Sequence, residues 1–415
     1  IHLIKLGTLY SKVEITNTPL INEKLYRADI VDTNGNYLAK TVNSIDIGLK
    51  TSDVINQKKL LLSLNLIFPN KDFDEIEKKM KQKNFFYLEK KVSEENYEKL
   101  MKLGDKSLKP EEKVLRIYPQ KNLFSHIIGQ IDNDNIGISG LEKSLNEILA
   151  KSRKPIRLTV DKDLQFLIRE ELIKYQEIFK SKGSASILMD IHNGNILSLV
   201  SLPDFDPNER QNLTDVNYIN RVTKGTYELG SVFKAFTFAS ALNEKLIKPE
   251  TEFLNLPKSI NCYGFPIREY DNEIPSDLTA EQIFVRSGNI GSVRIAQKVG
   301  PEKFKSFLEK IGVLSDIQFD IEEVAPQKNY NFGKCKLATA SFGHGVATTI
   351  LQLAKGYAIL SNGGYDIKPT LVKNNHQKNT KKKKLLNKGV SEQVVNALRK
   401  IVSTEAVSYT HLRAH

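Results

Sequence analysis

The stretch Glu228-Leu229-Gly230-Ser231-Val232-Phe233-Lys234-Ala235-Phe236-Thr237-Phe238-Ala239-Ser240-Ala241-Leu242 sets side by side a glycine that ends a turn, a Ser-x-x-Lys tetrapeptide and an apolar run. No other Ser-x-x-Lys occurs in the chain. Residues three apart on a helix share a face, so the Ser231 hydroxyl and the Lys234 amine can be neighbours. The run after Lys234 is apolar nearly all round, which marks a helix buried in the protein centre. A lysine entering such a helix is costly to bury charged. To serve as a base at pH 7, a lysine of ordinary pKa about 10.4 must give up roughly 4.6 kcal/mol, a shift that desolvation and a second nearby cation can supply. The tetrapeptide alone equally suits a lysine snorkelling from a helix end beside an N-cap serine.

The balance moves with Ser287-Gly288-Asn289, 56 residues further on and between two helical segments. A second hydroxyl there can relay protons at a nucleophile, and a carboxamide offers a donor and an acceptor to a peptide-like substrate. Ser-x-Asn also occurs at Ser63, Ser144 and Ser259, so context alone distinguishes this copy. Other chemistries lack their marks. Gly225 to Gly230 has P-loop glycine spacing but continues into Ser231-Val232 rather than Lys-Ser/Thr, and neither a dinucleotide-binding fingerprint nor a G-x-S-x-G elbow is present.

Outward from this centre the chain divides. Tyr37 to Ile47 alternates like a strand after an Asn34-Gly35 turn, and Phe73 to Asn84 and Ser93 to Leu103 have helical spacing. A basic linker, Lys151 to Lys154, precedes Pro155 and an aspartate-capped helix whose Leu164, Leu167, Ile168, Leu172, Tyr175 and Phe179 predict an inward face. Ser184 to Met189 and Ile196 to Ser201 read as a hairpin; helices follow over Ser231–Leu246, Thr279–Val299, Pro301–Ile311 and Thr349–Leu360, then an extended Tyr365 to Val372. That order predicts an α+β fold, helices around an antiparallel sheet. The domains expected are residues 1–155, 156–405 and a foreign tail at 406–415.

With 415 residues, 40% apolar and 27% charged, the chain is globular and too long for one core. Its net charge of +12 comes from lysines spread along its length, which argues for solvated surface rather than a nucleic-acid patch. Two cysteines, Cys262 and Cys335, build no disulfide scaffold and read as small buried hydrophobes; no Cys/His cluster has zinc spacing. His126, His192 and His344 read as packing or loop residues. No window is long and apolar enough to cross a bilayer.

These motifs together resemble a class B penicillin-binding protein, a peptidoglycan DD-transpeptidase, most closely the division-specific septal type. Arg27 to Ala39 is similar to a pedestal segment of that family, with Ala28 and Thr33 as departures; Arg116-Ile117-Tyr118-Pro119 and Gly137 to Glu142 resemble the pedestal's end. Leu158-Thr159-Val160-Asp161 resembles the opening of the transpeptidase domain, Glu228 to Lys234 the nucleophile motif with Leu229 where proline is usual, and Ser341-Phe342-Gly343-His344-Gly345 another family segment. The resemblance implies an elongated mixed α/β pedestal before the transpeptidase domain. It implies Ser231 as acylated nucleophile, Lys234 as its base, Ser287 with Asn289 as second motif, and neither cofactor nor metal. The implied partners are lipid II-derived stem peptides, β-lactams, a septal glycosyltransferase and division proteins, without nucleic acid. A single N-terminal anchor, missing from this chain, would hold the periplasmic body to the bacterial inner membrane.

The family's third motif, Lys-Ser/Thr-Gly, is absent, and the likeness stops after Glu405. The chain therefore reads as a C-terminally truncated fragment with weak or no activity, since losing one oxyanion donor alone costs on the order of 10²–10³ in rate. Two alternatives share Ser231 and Lys234: a serine β-lactamase or D,D-carboxypeptidase, and a non-catalytic penicillin-binding scaffold or sensor.

Overall fold

The computed structural model describes residues 26–209, 216–262, 264–321, 324–325, 330–373 and 382–403. The expected tail at 406–415 lies outside them. Two compact units emerge: one holds Ala39–Ile117 and Glu147–Lys154 with the residues just before 30, the other Ile30–Leu38, Tyr118–Asn146 and the chain from Pro155 onward.

The first unit is built on β1 (Tyr37–Lys50). Helices α1 (Gln57–Ile67) and α2 (Phe73–Gln82) follow, then β2 (Phe85–Glu89), α3 (Glu94–Lys102) and β3 (Leu108–Ile117). β1 pairs antiparallel with β2 on one side and β3 on the other, the latter from Lys40 opposite Ile117 to Leu49 opposite Leu108. Each helix starts where a short polar side chain accepts a first-turn N–H: Asn56, Asp72 and Ser93. Ile47 and Leu49 meet Leu60, Leu64, Ile76, Phe86 and Leu100 in a small separate core.

In the second unit Asp161 caps α4 (Lys162–Phe179), accepting from the N–H groups of Asp163 and Leu164. The expected hairpin follows as β4 (Ser184–Met189) and β5 (Ile196–Leu202), paired antiparallel from Ser184 opposite Leu202. The apolar stripe read on α4 does not pack as expected. Leu167 is 58% exposed and Phe179 64%, and the fully buried position of the helix is Gln165 at 1%. The carboxamide of Gln165 is the anchor. Its Nε2 donates to the carbonyls of Leu123 and Leu199, and its Oε1 accepts from Ser198 Oγ and the Leu199 N–H. Three of these hydrogen bonds hold the helix to β5 and the fourth to Leu123, and Leu164, Leu167, Tyr175 and Phe179 are left facing outward while Ile168 and Leu172 are half-buried.

The helices around the large core come next: α5 (Lys234–Asn243), buried at every position; a hairpin of β6 (Ser259–Cys262) and β7 (Phe265–Arg268); then α6 (Ala280–Val285), α7 (Asn289–Val299) and α8 (Pro301–Lys310). α9 (Lys334–Ala340), α10 (Ile350–Ser361) and α11 (Val390–Val402) complete the set. Phe236 and Phe238 of α5 sit in one apolar cluster with Ile283, Val293, Phe304 and Val394. Tyr365 to Val372 is less regular than expected. Asp320 accepts from the N–H groups of Leu371 and Val372 and from Thr370 Oγ1, so these donors serve a carboxylate instead of a sheet ladder. Among the described residues no helix is long and apolar enough to cross a membrane.

Replacing Gln165 by Leu leaves the buried Leu199 N–H and two carbonyls without partners. Each orphaned group costs about 1–3 kcal/mol, so the variant should lose at least ~3 kcal/mol of stability, read as a lower urea midpoint at unchanged slope.

Candidate active site

Gly230–Phe233 is a single 3₁₀ turn that runs directly into α5. The Lys234 N–H donates to the Ser231 carbonyl, and in 3₁₀ geometry residues i and i+3 eclipse, so Ser231 and Lys234 lie along one edge. Burial separates them: Ser231 is exposed, whereas Lys234 is 2% exposed inside the helix cluster. The turn is fixed from behind. Gly343, at φ +80°, approaches Gly230 so closely that a Cβ on it would lie 2.2 Å from the Gly230 carbonyl oxygen. Thr237 Oγ1 donates to the Ser341 carbonyl, and Tyr357 OH donates to the Val232 carbonyl.

Lys234 reaches away from its own helix to the second motif. Its Nζ donates to the Ser287 carbonyl at 2.5 Å, to Ser287 Oγ at 2.9 Å and to Asn289 Oδ1 at 2.8 Å. Burial lowers its pKa to about 8, against the opposing pull of the Glu269 carboxylate, which favours the charged form. The cation expected to assist this shift is not what the described residues supply; the neighbouring charge is negative.

Ser287 holds an uncommon conformation, φ +54°, in the left-handed region that favours glycine. It ends α6 with a helix-closing pair of bonds: Ser287 N–H to the Phe284 carbonyl and Gly288 N–H to the Ile283 carbonyl. A non-glycine residue held there costs about 1–3 kcal/mol, and what that conformation achieves is to aim a hydroxyl at Lys234.

Three neighbours of the second motif were not legible in the sequence. The Glu269 carboxylate accepts from the Asn289 N–H at 2.6 Å and the Ile290 N–H at 2.8 Å, satisfying the first turn of α7. The Arg268 carbonyl accepts from Asn289 Nδ2, and Tyr270 OH donates to the Arg286 carbonyl. At the rim, His344 is an exposed loop residue, as expected, and its Nδ1 lies 2.8 Å from Glu228 Oε2. His126, by contrast, is a packing residue: it is buried, sits edge-on to Phe205 and has its pKa pushed down to about 4 by burial.

Cys262 and Cys335 correct the sequence reading. They are joined in a disulfide that ties the β6–β7 hairpin to α9 across 73 residues. Only the tertiary approach of these two elements makes the pair possible, with Cα atoms 5.7 Å apart.

Residues 184–414 match the penicillin binding protein transpeptidase domain, and residues 23–177 the penicillin-binding protein dimerisation domain. The chain belongs to the penicillin-binding protein transpeptidase family. It is 27% identical over 352 residues to a protein of Caulobacter vibrioides named probable peptidoglycan D,D-transpeptidase FtsI, covering 84% of this chain and 59% of that one. A peptidoglycan D,D-transpeptidase FtsI homolog of Mesostigma viride is 26% identical over 98% of this chain and 75% of its own. The fold matches that of a peptidoglycan synthetase from Bifidobacterium adolescentis with a TM-score of 0.69, at 19% identity, over 91% of this chain and 81% of that one. The chain thus spans about three fifths of the length of the Caulobacter relative. Within this family's two-domain α+β fold, the three groups on Lys234 come from a loop more than fifty residues away in sequence.

Replacing Glu269 by Gln removes the charge that holds the Lys234 proton on. The Lys234 pKa should then fall below about 8, so the rising limb of a pH–acylation profile moves to lower pH; a limb that stays or moves up contradicts the assignment.

Proposed function

We propose that this chain carries the catalytic machinery of a septal-type class B penicillin-binding protein, a serine DD-transpeptidase that cross-links peptidoglycan stem peptides. The observation that carries the reading is the convergence of Ser287 Oγ and Asn289 Oδ1 on Lys234 Nζ, one turn from an exposed serine. That arrangement suits acyl transfer. Ser231 Oγ attacks the carbonyl of a D-Ala-D-Ala bond as its proton passes to the neutral Lys234 amine; the amide C–N bond breaks, and the departing D-Ala nitrogen takes that proton. The amine of a second stem peptide then attacks the ester, giving a cross-link and free Ser231.

The hydrogen-bond pattern supports a role for Ser287 in this sequence. Lys234 Nζ has three acceptors, which fits an ammonium with three N–H groups. When the amine is neutral one of the three must change, and of these acceptors only the Ser287 hydroxyl can turn its hydrogen toward the nitrogen. That contact supports reading Ser287 as a proton relay between Lys234 and the groups reacting at Ser231.

The same reading assigns Ser231, Lys234, Ser287 and Asn289 as the site, residues 1–155 to the pedestal and 156–405 to the transpeptidase domain. Stem peptides and β-lactams are the ligands, with a septal glycosyltransferase and division proteins as partners. The same reading puts the body in the periplasm on an inner-membrane anchor; the Cys262–Cys335 disulfide supports the oxidising compartment, where such bonds persist.

The test is incubation with a labelled penicillin followed by mass spectrometry. Label should add at Ser231 slowly, because the Lys-Ser/Thr-Gly motif is absent, and leave slowly, and Ser231→Ala should take up none. Because a pKa near 8 leaves about a tenth of Lys234 neutral at pH 7 and nine tenths at pH 9, acylation should quicken roughly tenfold over that range. Rapid release of hydrolysed label would instead support a β-lactamase, and absence of label at Ser231 in a chain that also carries a Lys-Ser/Thr-Gly motif a non-catalytic scaffold.

A further inference from the structure

A cavity of about 480 Å³ opens beside Asn289, on the side where the β6–β7 hairpin faces α9. Its size is that of a small-ligand site. Phe265 and Ile267 of the hairpin and Phe342 line it with apolar surface, and the Cys262–Cys335 disulfide forms part of the wall and ties its two sides together. The charged groups of the lining are of one kind. Arg268 on the hairpin and Lys336 on α9 are both exposed there, and among the described residues no ion pair engages either and no Asp or Glu lines the cavity. Its other titratable group, His344, is engaged with Glu228. An apolar cleft whose described lining carries two exposed cations, with the nearby Glu228 and Glu269 carboxylates engaged by His344 and the Asn289 N–H, is complementary to a chain that is partly aliphatic and bears a carboxylate.

The cavity is coupled to the reacting groups through one residue. Asn289 lines it, offers Oδ1 to Lys234 and gives its Nδ2 to the Arg268 carbonyl. A peptide whose terminal amide lies at Ser231 would thus run past Asn289 toward Arg268 and Lys336.

We propose that this cavity is a specificity subsite for a carboxylate on the stem peptide, recognised by Arg268 and Lys336 and set in width by the Cys262–Cys335 disulfide. The assignment rests on the transpeptidase reading above. It distinguishes a peptide with a free upstream carboxylate from the same peptide carrying the amide, because the amide offers no charge to two cations.

The experiment uses the whole chain and two probes: a D-Ala-D-Ala-terminated peptide with a free carboxylate upstream, and its amidated counterpart. Titration calorimetry should show the acid binding about tenfold more tightly, the gain of one charge-assisted contact, with the preference shrinking as salt is raised. R268Q/K336Q should bring the two peptides to equal affinity, and R268E/K336E should favour the amide. Circular dichroism confirms that each variant is folded. Equal binding of both peptides by the parent chain, binding of neither, or a folded R268Q/K336Q that keeps the preference would overturn the subsite. Penicillin labelling of Ser231 on the same sample separates this result from the parent reading: label with no acid preference sinks the subsite alone, and absence of label sinks the reading.

Discussion

The site depends on one buried ammonium. Lys234 enters a helix whose every residue is buried, and its charge is tolerated because three oxygens from the Ser287–Asn289 loop meet it there. Burying a charge without such partners is prohibitive, so the helix and the loop must assemble together. That requirement accounts for the left-handed Ser287, the close approach of Gly343 to Gly230 and the carboxylate that caps α7.

The same interaction sets opposing demands on Lys234. Burial drives the amine toward the neutral form a base requires, while the Glu269 carboxylate favours the ammonium. The result, a pKa near 8, is a compromise between a stable resting site and a competent base. Glu269 takes part in both, since its carboxylate holds the N-terminus of α7 that carries Asn289 and also restrains the lysine's loss of its proton.

A second constraint is covalent. The hairpin that ends in Arg268 and Glu269 is small and two-stranded, a unit of marginal stability on its own. The disulfide to α9 fixes it, and through it the carbonyl and carboxylate that hold the second motif. Cysteines lying 73 residues apart thereby act on the geometry of Asn289.

Local periodicity determined much of the architecture. The cap at Asp161, the hairpin around Gly194 and the break between α6 and α7 follow from side chains within a few residues, which is why they were legible. The Ser-x-x-Lys and Ser-x-Asn motifs were legible for the same reason, being chemistry written at fixed short spacing. Tertiary structure alone decided the rest. The outward stripe on α4 was misread because a carboxamide, Gln165, outcompetes apolar side chains for the buried position when four backbone and hydroxyl partners await it. Glu269, the His344–Glu228 contact and the disulfide each join segments far apart in the chain, and no spacing rule reports which distant surfaces will meet. A sequence can name the groups able to react, but their relative placement arises when the core closes and every buried polar atom must find a partner.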